Sequence, residues 1–314
     1  MPKSDQIGRA FEYACIHAFR EAFAKLRPVS IVENENYFND QKAWNGLDSE
    51  TKAIMRKQAE SSIPTLYALE PNITEDDGDI LILRLQSDRE GVVGDVRDIL
   101  LIREEKNWSI GISVKHNHFA VKHSRLSSVL DFGKAWVNVP CSNTYWKEIE
   151  PIFQLLKENK HKVKWSELDG KSEKVYKPLL EAFKKELIFI NQTHKNIPSL
   201  LVEYLLGKYD FYKIIGLDKK NITQLIAFNI HGNLNKASTS TEPQRKIPKS
   251  FLPTRIVSLE FKPKKDNTLE LYMDNGWQFS FRIHNASTLV EPSLKFDVQI
   301  IGMPSSIVVI NCPW

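Results

Sequence analysis

Residues 97–115 read RDILLIREEKNWSIGISVK, two apolar runs joined by the polar turn EEKN. Such a pair of runs predicts a β-hairpin. With the loop centred between Glu105 and Lys106, Asp98 falls directly opposite Ser113, and directly opposed residues share a face. Along the second strand Trp108, Ile110, Ile112 and Val114 point one way, while Ser109, Gly111, Ser113 and Lys115 point the other. An acid, a hydroxyl and a lysine therefore converge among small residues that let a ligand approach. A charge in an apolar strand is costly unless it is paired or binds something. This trio suits phosphodiester hydrolysis: a carboxylate can hold Mg²⁺, and a lysine can orient water and stabilise charge in the transition state. Taken alone, the hairpin also fits an amphipathic element with a solvated polar face.

On the N-terminal side, Phe11, Ala14, Cys15, Ala18, Phe19, Ala22, Phe23 and Leu26 recur with helical spacing and predict a helix over about 6–26, closed by Pro28. A second helix is expected over about 49–69, stopping before Pro71. The acidic turn ITEDDGD leads into a strand at about 79–85. Beyond the hairpin, SRLSSVLDFGKAWVN predicts a helix over about 124–137. The order helix, strand, strand, strand, helix makes an α/β unit of roughly residues 1–145.

Residues 146–232 read as a helical segment, through EIEPIFQLLKENK, KVYKPLLEAFKKELIFINQ and LVEYLLGKYDFYKIIGL. The basic run 157–164 fits a solvated helix end. Residues 233–250, NLNKASTSTEPQRKIPKS, are polar and aperiodic, as expected of a linker or mobile loop. They carry Lys236, Arg245, Lys246 and Lys249, which suit phosphate. From 251 to 314 the chain reads as β-rich. There LELYM, DNG and WQFSFRI form a hairpin signal, since Asn-Gly supplies the positive-φ residues of a tight turn.

The 314 residues are 42% hydrophobic and 26% charged, with a net charge of +4, which fits a globular protein and permits an anionic partner without requiring one. Cys15, Cys141 and Cys312 lie far apart without metal-ligand spacing, as reduced thiols do. The start MPKSDQIGRA has no apolar core, and no run approaches the roughly 18 apolar residues that a membrane span needs. A cytoplasmic location is expected.

The succession of Asp98, a hairpin and Ser113-x-Lys115 resembles the PD-(D/E)xK nuclease superfamily, and the α-β-β-β-α order resembles its common core. The expected fold is therefore α/β, a mixed sheet flanked by helices, with the helical insertion and a C-terminal β-rich region. Ser113 stands where the superfamily has its second acid. The missing ligand must then be a hydroxyl, the backbone or an acid from elsewhere. Glu12, beside the stripe of the first helix, is the leading donor, and Asp95 is the reserve. Asp98 and Glu12 are thus the candidate metal ligands, and Lys115 the water-orienting group. His116, Asn117, His118, Lys122, His123 and Arg125 follow as candidates for gripping the DNA backbone. Zinc is not expected at the local pair His116 and His118, which has no Cys beside it.

DQIGRAFEYA, GISVKHNHFAVKHSRLSSVLDFGKAW and VPCSNTYW resemble the HaeIII-type type II restriction endonucleases, over most of the chain. That resemblance implies Mg²⁺-dependent cleavage of double-stranded DNA within GGCC, leaving blunt ends. It also implies a partner cytosine methyltransferase that protects host sites. In WQFSFRIHNAS, Gln278, Ser280, Arg282 and His284 share one strand face, followed by Asn285. Arg pairs bidentately with guanine, and Gln or Asn bond base edges, so a β-ribbon bearing this row suits a major groove. A palindromic target favours a two-fold dimer. Two competitors share these features: a repair or structure-specific nuclease of the same core, and a non-catalytic DNA-binding module with a degenerate core.

Overall fold

Phe11, Ala14, Cys15, Ala18, Phe19 and Phe23 are all buried on α1 (Ser4–Phe23), the helix that their spacing predicts. The computed structural model describes residues 4–87, 95–122 and 124–314. The further helices are α2 (Glu35–Asn45), α3 (Ser49–Ser61), α4 (Ile63–Leu69), α5 (Pro71–Thr74), α6 (Phe132–Val137), α7 (Asn143–Glu158), α8 (Lys177–Thr193) and α9 (Ile197–Leu206). The first strands are β1 (Val29–Val32), β2 (Leu81–Leu85), β3 (Ile99–Arg103), β4 (Trp108–His116), β5 (Ala120–Lys122) and β6 (Arg125–Ser127). Then come β7 (Phe211–Leu217), β8 (Ile222–Phe228), β9 (Ile256–Phe261) and β10 (Thr268–Met273). The last are β11 (Gln278–His284), β12 (Ser293–Gly302) and β13 (Val308–Pro313).

Two units share the chain. One takes Met1–Phe119, Gly207–Ser250 and Ser305–Trp314; the other takes Ala120–Leu206 and Phe251–Pro304. The first holds a seven-stranded mixed sheet in the order β1-β2-β3-β4-β7-β8-β13. β2, β3 and β4 form an antiparallel meander, and β4 pairs in parallel with β7. Leu81, Leu83 and Leu85 of β2, Ile99 and Leu101 of β3, and Ile110, Ile112 and Val114 of β4 share a core with α1. Each such side chain contributes about 1.5–3 kcal/mol by leaving water.

The acidic turn before β2 has a structural task. Arg103, fully buried at the end of β3, donates through Nε to Asp79 at 3.1 Å and through Nη1 to the Asn72 carbonyl at 3.2 Å, and Nη2 meets Asp77. A buried guanidinium is tolerable because its donors are used.

In the second unit the sheet runs β5-β12-β11-β10-β9, with β6 also on β12. Its inner face is aromatic: Phe296 lies 5.2 Å from Phe183 of α8, and Phe281 lies 6.4 Å from Trp136 of α6. The β10–β11 hairpin turns through Asn275 and Gly276 at φ 58° and 88°, as the Asn-Gly signal predicts.

The structure departs from periodicity in several places. β1 adds a parallel strand to the meander. The 49–69 helix breaks at Ser62, and Pro64 sits in the first turn of α4. Residues 125–127 are strand rather than helix, drawn to β12 by long-range pairing, and only 132–137 is helical. FYKIIGL and the following ITQLIAF are strands inside the stretch expected to be helical, because β7 is buried on both faces and so lacks alternation. Residues 233–250 are irregular, yet they are secured within the first unit. Leu234 and Ile247 are buried, and Asn235 Nδ2 donates to the Leu69 carbonyl at 2.7 Å. Among the described residues no helix is long and apolar enough to cross a membrane.

Candidate active site

The β3–β4 register sets Ile99 against Ile112, and one step further the Asp98 N–H donates to the Ile112 carbonyl at 2.8 Å. Asp98 thus faces Ser113. Its Oδ2 accepts from Ser113 Oγ at 3.1 Å, from the Val114 N–H at 2.6 Å and from Lys115 Nζ at 3.0 Å. The charges of Asp98 and Lys115 remain in touch with solvent, at 21% and 32% side-chain exposure, so an incoming anion can reach them.

α1 packs on β4, with Phe11 edge-on to His116 at 5.6 Å. Glu12 follows Phe11 and is partly buried. Burial raises its carboxyl well above the usual range; the charge of Asp98 adds to this, and Lys115 opposes it. Glu12, Asp98 and Lys115 therefore share one electrostatic environment.

Lys213 lies in the same place. It sits on β7 in register with Ser113, is 4% exposed, and donates through Nζ to the Phe119 carbonyl at 3.4 Å. Burial, then repulsion from Lys115, lower it to about 7, against the pull of Asp98. Periodicity hides this lysine, because it belongs to a strand without alternation; only its single charge in an apolar heptad marks it.

Several expectations change. Asp95 is engaged elsewhere: Arg97 Nε and Nη2 hold its two oxygens at 2.8 and 2.7 Å, and Gln86 adds a bond at 2.9 Å. Burial raises its carboxyl, but these bonds outweigh it and leave the group below its ordinary range. Gly111 does not leave room for a ligand, since the Arg97 side chain lies across it, with Cδ only 1.9 Å from where a Cβ would stand. His116 and Asn117 turn to Asp218, at 3.0 Å from His116 Nε2 and 2.8 Å from Asn117 Nδ2. His118 is exposed, and His123 lies outside the described residues.

In the second unit Lys122 is committed to Tyr204, donating to its carbonyl at 2.9 Å with Nζ 3.7 Å over its ring. Arg125 is more open, at 40% side-chain exposure, and pairs with Glu291 at 3.1 Å. On β11 Phe279, Phe281 and Ile283 are fully buried, and Gln278, Ser280, Arg282 and His284 occupy the outer face. Burial, then Arg282 and Lys295, lower the His284 imidazole. Asn285 turns inward instead: its Nδ2 donates to the Ser287 and Leu289 carbonyls at 2.6 and 2.7 Å, and its Oδ1 accepts from the Glu291 N–H at 3.0 Å. Its amide is spent on closing its own loop.

Among the described residues no group of three or more His, Cys, Asp or Glu side chains gathers to hold a metal. Asp98 and Glu12 are a pair of carboxylates with a hydroxyl beside them, which are hard oxygen donors.

The model of the HaeIII restriction endonuclease family matches residues 8–304. The chain is 46% identical over 314 residues to the type II restriction enzyme HaeIII of Haemophilus aegyptius, covering 99% of this chain and 98% of that protein. No solved structure matches it significantly. The chain belongs to the HaeIII restriction endonuclease family, type II site-specific deoxyribonucleases.

Proposed function

We propose that this type II restriction endonuclease cuts duplex DNA within GGCC, leaving blunt ends, at a PD-(D/E)xK-type site formed by Asp98, Ser113, Lys115 and Glu12. The observation that carries the reading is the 3.0 Å contact between Asp98 Oδ2 and Lys115 Nζ, solvent-accessible and within the field of Glu12. GGCC comes from the likeness to HaeIII.

Asp98 and Glu12 would hold Mg²⁺, whose chemistry when bound is Lewis-acid polarisation of the phosphate. The residues fit such an ion. Burial first, and the charge of Asp98 second, disfavour ionisation of Glu12, and a divalent cation relieves both penalties. Lys115 holds the attacking water and donates to a phosphate oxygen as charge builds there. Ser113 and the Val114 N–H fix the Asp98 carboxylate, so its orientation is set before DNA arrives. The water oxygen bonds to phosphorus and gives up its proton to solvent, while one ester oxygen leaves with its electron pair and takes a proton from solvent. Ser113, neutral where an acid is usual, keeps the negative charge of the site low.

Arg125, Gln278, Ser280, Arg282 and His284 supply DNA contacts on the second unit, and exposed His118 supplies one on the first. A two-fold dimer would match a palindrome. A cytosine methyltransferase would protect the host sites, in the cytoplasm where the DNA lies. Digestion of a plasmid of known sequence with Mg²⁺, followed by sequencing of the ends, tests this. Discrete blunt fragments ending within GGCC support it. Random nicks or cutting of flaps would reassign the protein to a nuclease of another task.

A further inference from the structure

β11 and β12 set Arg282 directly against Asp297 on the outer face of the second unit's sheet. Arg282 Nη2 donates to Asp297 Oδ2 at 3.1 Å, and Gln299 Nε2 reaches the same oxygen at 3.4 Å. The two partners differ sharply in exposure: 56% for the arginine side chain, 8% for the aspartate. Asp297 Oδ1 is buried and has no hydrogen-bond partner among the described residues. Both residues line a groove of about 400 Å³, with Lys262, Lys265, Ser280 and Gln299 around them.

The acid decides what the groove is for. A carboxylate beneath a phosphate would repel it, whereas a carboxylate behind an arginine fixes one edge of the guanidinium and leaves its other N–H groups facing outward. A fork held in this way has lost its rotamer freedom before binding. Two parallel N–H donors match the N7 and O6 acceptors of guanine in a major groove. Lys262, which pairs with Glu270 at 2.9 Å, and Lys265 line the same groove and suit the flanking phosphates.

We propose that Arg282 reads a guanine of the target through N7 and O6, that Asp297 is the positioning residue which holds it ready, and that Lys262 and Lys265 take adjacent phosphates. This rests on the DNA-cleaving reading above and adds Asp297 to it.

The test starts by mapping the cleavage site with the plasmid digest. Duplexes carrying that site are then prepared with each guanine in turn replaced by 7-deazaguanine, which lacks only the N7 acceptor. Competition binding in Ca²⁺ gives the penalty for each replacement. At one guanine the wild type should lose on the order of tenfold in affinity. Arg282→Ala should bind both duplexes equally at that position, and Arg282→Lys, with one ammonium in place of the fork, should show a smaller penalty than the wild type. Asp297→Ala should shrink the penalty, and Asp297→Asn, which still accepts from Nη2, should restore it. A merely structural defect would weaken both duplexes alike and leave their ratio unchanged. The same penalty in wild type and both Arg282 variants overturns the guanine contact, as does a mapped site without guanine. An unchanged ratio in Asp297→Ala overturns the positioning role. A digest without discrete fragments overturns the parent reading as well, so the two failures are told apart.

Discussion

Ser113 of β4 and Lys213 of β7 are partners across a parallel ladder, which sets a buried ammonium beside the Asp98–Lys115 pair. Burial and then Lys115 hold Lys213 near 7, against an ordinary 10.5. Between those values the unfolded chain keeps a proton that the folded chain has released, so this residue makes stability rise with pH across that window. Below it both states are protonated and the cost of burying the charge is present in full. Lys213→Met removes this dependence. Urea midpoints should therefore shift in favour of the wild type relative to the variant from pH 7 to pH 9, and a constant gap would refute the assignment.

Glu70 has the opposite sign. Burial raises its carboxyl to about 7, although the Tyr212 hydroxyl and the Asn235 N–H both donate to it. Here the folded state holds the extra proton between about 4.5 and 7, so stability falls as pH rises through that range. Glu70→Gln should lose less stability than the wild type between pH 5 and pH 8, read from thermal midpoints. Parallel profiles would show that Glu70 does not titrate there.

Lys115→Ala removes the donor at the reacting phosphate. Its cleavage rate should fall by on the order of 10²–10³, while affinity for site-bearing duplex changes no more than loss of one phosphate contact demands. Gel-based single-turnover assays and anisotropy separate the two. Cleavage at the wild-type rate would sink the site.

Glu12→Gln keeps shape and hydrogen bonding but drops the second carboxylate. The Mg²⁺ concentration for half-maximal cleavage should rise, with DNA affinity measured without divalent ions unchanged or improved. An unaltered metal titration would remove Glu12 from the ligand set.

Gly111→Ala places a methyl group 1.9 Å from Arg97 Cδ and 2.8 Å from its Cβ. The arginine must leave its path across the strand, which costs about 1–3 kcal/mol of overpacking and loosens its hold on Asp95. A urea midpoint equal to the wild type would show that Arg97 moves aside freely.

The hairpin from Asp98 to Lys115 was legible because two constraints coincide: a short polar turn fixes register, and alternation fixes face. The Asp98–Ser113 pairing followed from those alone; Glu12 was singled out by its place beside a helical stripe together with the superfamily resemblance. The same logic read the inner row from Trp277 to Ile283. It failed where burial is two-sided, as in β7, which carries Lys213, or where a distant strand decides the local state, as β12 does for Arg125–Ser127. Asn285 and Asp95 show a different gap. Their residue types suit DNA or metal, but local partners consume their polar atoms, and no spacing rule reveals that in advance.

β13 occupies the edge of the first unit's sheet beside β8, yet its residues follow the whole of Phe251–Pro304 in the chain. A ribosome must therefore finish the second unit before the first can close. The sheet that carries Asp98 and Lys115 reaches its final width only after Pro313 has left the exit tunnel. A nascent chain cut short anywhere before that leaves an open strand edge at β8, a target for proteolysis and aggregation.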